Sequence, residues 1–113
     1  MEQRRTQRYN LQLPLHVVQL GEIQVNRVEK TRDISSRGVC FVSPISVAVG
    51  GRIEYVITLS GCNPPVRIRC LGKVLRSMKP LVEGPYEIAV TMDRYMFVRA
   101  KHVLPAAAAA ATA

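Results

Sequence analysis

The sequence predicts an all-β protein, a small six-stranded antiparallel β-barrel with a short C-terminal helix packed against it. Three observations carry this. Six segments either alternate apolar with polar residues or form short apolar runs, and they follow one another at nearly even spacing between Gly, Pro, Asn and Ser clusters. Only one segment offers an apolar face at helical spacing. The composition, 48% hydrophobic and 21% charged over 113 residues, suits one globular core. Closure into a barrel is expected because it removes the edges an open sheet would leave unpaired.

Leu11, Leu13, Leu15 and Val17 alternate with Gln12, Pro14 and His16 and set the first strand, with Pro14 marking an edge or a bulge. Ile23 and Val25 open a second run that reaches toward Asp33. Val39-Cys40-Phe41-Val42 is a third, ended by Ser43-Pro44. After a Gly50-Gly51 turn, Ile53, Tyr55, Ile57 and Leu59 alternate with Glu54, Val56 and Thr58. The loop from Ser60 to Pro65 leads into a fifth run, where Val66, Ile68 and Cys70 face one way and Arg67 and Arg69 the other. Gly72 is a candidate bulge before Val74. The turn Glu83-Gly84-Pro85 introduces the sixth run, marked by Tyr86, Ile88, Val90 and Met92. The helix is predicted over Arg94 to Leu104, with Met96, Phe97, Ala100, Val103 and Leu104 on its apolar face and Pro105 as its stop. Residues 1–9 then form a flexible N-terminal segment, 10–104 the barrel and helix, and 105–113 an Ala-rich tail with no apolar period.

Charge narrows the function. Sixteen Lys and Arg against eight Asp and Glu give +8, so an anionic ligand or partner is expected. Twelve of the sixteen are Arg, whose planar fork pairs with phosphate and with guanine edges. Cys40, Cys62 and Cys70 never stand as CxxC, and His16 and His102 lack neighbours at ligand spacing, so neither zinc nor a disulfide framework is expected. No nucleophile and base form a recognisable constellation, which argues against an enzyme and against a bound cofactor. No leader-like or bilayer-length apolar stretch is present, so the chain is expected to be cytoplasmic, without a membrane span.

Two short motifs carry the chemistry. Arg4-Arg5-Thr6-Gln7-Arg8, just before the first strand, reads as RxxxR. By itself it also fits a solvated basic terminus. Asp33-Ile34-Ser35-Ser36-Arg37-Gly38 reads as DxSxxG between the second and third strands. A carboxylate there can accept from the N1 and N2 edge of guanine, a serine hydroxyl can donate or accept, and glycine allows close approach. By itself this motif also fits an ordinary turn held by local Asx-type bonds.

Both motifs occur in order and flank the first hairpin, and the chain thereby resembles the PilZ domain family over residues 4 to 104. The resemblance implies a bacterial receptor for the second messenger cyclic di-GMP. It implies that Arg4 and Arg8 clamp phosphates and guanines, while Asp33, Ser35 and Gly38 form the half of the site on the barrel. Arg5 occupies the often-seen second arginine; Arg32 and Arg37, flanking Asp33, fit either an addition to the local field or solvated loop charges. Residues 1–9 carry three arginines and few apolar anchors, so ligand is expected to order them and present the result to a downstream protein. Two alternatives stay open: a basic barrel for RNA or single-stranded DNA, and a PilZ-like adaptor without ligand. The first is disfavoured because no exposed aromatic pair for stacking is apparent. The second would show degenerate signature residues, and here they are intact.

Overall fold

Alternating apolar residues pack inward only if the strands carrying them curl around a common axis, and these do. The structure, a computed structural model, describes residues 7–59, 61 and 63–99. Among the described residues seven strands form: β1 (Pro14–Leu20), β2 (Ile23–Ile34), β3 (Gly38–Ser43), β4 (Arg52–Leu59), β5 (Val66–Met78), β6 (Tyr86–Thr91) and β7 (Arg94–Arg99). The sheet order is β4-β1-β2-β3-β6-β5, and β5 pairs back onto β4, so six antiparallel strands close into a barrel. The core is the predicted face of those strands: Leu15, Val17, Val39, Phe41, Ile53, Tyr55, Ile57, Cys70, Val74, Ile88 and Val90.

The segment expected to be helical is the principal correction. Residues 94–99 form β7, paired antiparallel with residues 66–71 of β5. The rest of the expected helix, 100–104, and the Ala-rich tail lie outside the described residues. β5 is 13 residues long, and β6 covers only its second half, through Val74 to Met78. After a break at Met92 and Asp93, β7 takes up the edge of the first half that β6 leaves open, the opposite edge being paired with β4 through residues 66–73. A helix could not have done that. One consequence is that Tyr95 and Phe97 are exposed and meet edge to face, with ring centroids 6.0 Å apart. The exposed aromatic pair missing from the sequence reading is therefore present. Its residues stand opposite Cys70 and Ile68, in phase with the interior of the sheet.

Smaller differences have local causes. Pro14 opens β1 opposite Lys30, where a strand tolerates the missing donor, and the irregularity in β1 falls between Val17 and Gln19. Gly72 is not a bulge. A Cβ there would lie 1.8 Å from the Thr91 carbonyl oxygen, so glycine is needed for close approach where β6 ends against β5. The bulge in β5 is at Leu75, between Val74 and Arg76. At the centre of the core, the Tyr55 hydroxyl donates to the Thr91 carbonyl at 2.9 Å. Burial raises the Tyr55 pKa and pushes the neighbouring Cys70 thiol up to about 11, against a smaller opposing effect of its hydrogen bond with Tyr55.

Candidate functional site

The site is built on the outer wall, where β2, β3, β6 and β5 lie side by side. Asp33 pairs with Cys40, Cys40 with Ala89, and Ala89 with Arg76, which makes one continuous row across four strands. The middle of the row is small, and Gly38 beside it has no side chain. The result is a trough of about 490 Å³, lined by Arg8, Arg32, Asp33, Arg37 and Arg76 among others. Four arginines and two carboxylates, Asp33 and Glu87, leave an excess of two positive charges.

Each motif residue has its own reason for being here. The Tyr9 amide donates to the Ile34 carbonyl and the Ile34 amide to the Tyr9 carbonyl, at 2.8 and 2.9 Å, which pins the incoming chain to the end of β2. Arg8 is thereby held over Asp33, with Nη1 donating to Oδ1 at 2.5 Å. The Arg8 side chain is 61% exposed and that of Asp33 19%, so the guanidinium side of this ion pair is open to solvent. Ser35 is buried and bound to its own turn: its hydroxyl oxygen accepts from the amides of Arg37 and Gly38, both at 3.2 Å. That is the local turn chemistry the motif also allowed: Ser35 lines the trough and its hydroxyl holds the loop that forms its wall. Gly38 lets β3 and β6 approach, since a Cβ would come within 2.5 Å of the Val90 carbonyl oxygen. The turn is fixed to β6 by the Met92 amide donating to the Arg37 carbonyl at 2.9 Å.

Thus Arg8, Asp33, Ser35 and Gly38 come together as expected, with Arg32 and Arg37 beside them. Arg4 and Arg5 lie outside the described residues. Arg32 pairs with Glu87 across β3. Burial raises the Cys40 thiol pKa and Asp33 adds to the effect, while Arg32, Arg76 and Arg8 pull it down.

Two contributors were not visible in the sequence. Arg76 reaches the trough from β5, a strand distant in sequence. Thr31, only 1% exposed, holds the lead into β1: its hydroxyl donates to the Leu11 carbonyl and accepts from the Leu13 amide. A Thr two residues before Asp33 in a strand is no signal by itself.

His16 stands in β1 with Nε2 2.5 Å from Asn26 Oδ1, and His102 lies outside the described residues. Among the described residues, no group of three or more His, Cys, Asp or Glu could hold a metal, and no helix is long and apolar enough to cross a membrane.

Fold and trough together define a small closed β-barrel domain with an anion-attracting outer wall. The sequence model of the PilZ domain matches residues 2–84, and the chain belongs to that family. Among solved structures it is similar to the Bacillus subtilis inhibitor of motility (MotI/DgrA), with a TM-score of 0.72 at 14% identity. The match covers 85% of this chain and 45% of that one, so this chain spans less than half the length of its structural neighbour. At such identity the likeness is one of fold. The comparison with curated proteins finds no match.

Proposed function

We propose that the trough is a receptor site for cyclic di-GMP, a reading carried by the convergence of the two motifs, 25 residues apart, in the Arg8–Asp33 contact. The ligand has two phosphates and two guanines. Asp33 accepts from the N1 and N2 edge of one guanine, and the exposed Arg8 exchanges its partly buried carboxylate partner for a phosphate. Charge-assisted contacts of this kind contribute on the order of 1.5–3 kcal/mol each. Arg4 and Arg5 complete the clamp from upstream. Because Tyr9 is already bonded to Ile34, the ordering that signals to a downstream protein falls on the residues before it. The Tyr95–Phe97 pair does not favour the nucleic-acid alternative, since it lies in phase with the opposite face of the sheet and its rings engage each other.

The test is a titration of the protein with cyclic di-GMP, GMP, GTP and single-stranded RNA. Cyclic di-GMP should bind far more tightly than the others, and Arg8→Ala and Asp33→Ala should lose that binding with little change in melting temperature. Equal affinity for every ligand would refute the receptor reading. Amide exchange should show ligand-dependent protection in residues 3–8, upstream of the Tyr9 amide already bonded to Ile34, and around 32–39, with little change in 53–59 or 86–92.

A further inference from the structure

We propose that Arg76 reads the second guanine of the ligand, an assignment that rests on the cyclic di-GMP reading and names the residue that closes the trough opposite Asp33. The row Asp33, Cys40, Ala89, Arg76 crosses three strand pairings. At roughly 4.8 Å per step its two ends lie about 14 Å apart along the sheet. One end carries a carboxylate and the other a guanidinium, with only small side chains between them. A bulge stands at each end: Arg32 is the extra residue beside Asp33, and Leu75 the extra residue beside Arg76. Bulges re-aim side chains next to binding sites, and here both aim them at one trough.

The two ends suit opposite edges of guanine. Asp33 accepts from the N1–H and N2–H donors. Arg76 offers a fork that matches the O6 and N7 acceptors, the commonest specific pairing of arginine with a base. Adenine presents an N6 donor where guanine has O6, so it would turn a donor toward that fork. Leu75, 59% exposed, gives the ring an apolar surface beside the fork. Arg8 and Arg32 have carboxylate partners, on Asp33 and Glu87, whereas Arg76 makes no salt bridge among the described residues. Among the described residues its fork therefore has no competing carboxylate.

Isothermal titration of the wild-type chain, Arg76→Ala and Arg76→Gln with cyclic di-GMP and with cyclic GMP-AMP tests the assignment. The second ligand keeps one guanine for Asp33 and places adenine at Arg76. The wild type should prefer cyclic di-GMP by roughly ten- to a hundredfold, the range of one bidentate base contact. Arg76→Ala should weaken cyclic di-GMP by a similar factor and leave cyclic GMP-AMP nearly unchanged, so that the preference collapses. Arg76→Gln should tilt it toward the adenine ligand, because glutamine forks to N6 and N7. Loss of both ligands by the same factor in Arg76→Ala would make Arg76 a general cation and overturn the assignment, as would an unchanged preference. A wild-type chain that binds neither ligand would instead refute the receptor reading itself. Matched thermal melts confirm that the variants are folded, as expected for a side chain on the exposed wall.

Discussion

Replacing Thr31 with valine separates the scaffold's hold on the N-terminal arginines from the core beneath it. Valine keeps the shape of the side chain, so no cavity is opened, and only the hydroxyl is lost. Two hydrogen bonds go with it, the one donated to the Leu11 carbonyl and the one accepted from the Leu13 amide at 2.9 Å. Leu11 is 47% exposed, so water can replace the first partner. Leu13 is partly buried against the core, and its amide is left largely unsatisfied. One orphaned donor of this kind costs about 1–3 kcal/mol. Urea denaturation should report that loss. The same two bonds fix the stretch that delivers Tyr9 to Ile34 and Arg8 to Asp33, so cyclic di-GMP affinity should fall as well, about tenfold for each 1.4 kcal/mol by which the lead is loosened. Thr31→Ser retains the hydroxyl and should retain binding, even if the lost methyl lowers stability slightly. Wild-type affinity and a stability change below 0.5 kcal/mol in Thr31→Val would show that the lead is held by something else.

Three further outcomes are expected. Ile57→Ala should cost about 2–5 kcal/mol in urea denaturation, because Ile57 is 1% exposed in a closed core. Gly72→Ala should destabilise the barrel as strongly as a core cavity and show it as a lower melting temperature, since the new Cβ would lie 1.8 Å from a backbone oxygen that β5–β6 pairing holds in place. Stability should also fall between pH 9 and pH 11: Cys70 titrates near 11 when folded and near 9.0 when unfolded, so the unfolded chain loses its proton first. The slope from this group is about 1.4 kcal/mol per pH unit, and Tyr55, whose pKa is also raised, acts in the same direction higher up. Urea midpoints that stay flat across that range, or that fall equally in Cys70→Ala, would contradict the assignment.

What could be read in advance depended on how local the determinant was. Ile53, Tyr55 and Ile57 declare their strand by alternation alone, and all three are buried as that period requires. Arg94 to Arg99 could not be settled that way. Tyr95, Met96, Phe97 and Val98 are all apolar, so the run has neither a clean two-residue nor a clean helical period, and a long-range relation decided it: β5 is longer than β6, and the edge that β6 leaves open takes β7. The Arg8 and Asp33 half of the site was legible because its two pieces flank one hairpin and carry recognisable spacing. Arg76 was not, because its place depends on β5 lying beside β6, a neighbour relation that no local pattern encodes. Ser35 shows the same limit from the other side. Its identity was informative, yet whether its hydroxyl faces a ligand or its own turn is decided by the backbone around Gly38.

The extra residues Arg32 and Leu75 give the trough a modular character. On β2, Thr31 faces the core and Asp33 the outside; on β5, Val74 faces the core and Arg76 the outside. Remove the intervening residue from either strand and the remainder would still alternate correctly, with every core side chain on its own side. Deletion or insertion at these two places therefore edits the wall of the trough without disturbing the parity of the barrel. A length change of one residue at either place thus alters the trough wall alone, a route normally closed inside a β-strand, where one residue more or less turns the whole strand inside out.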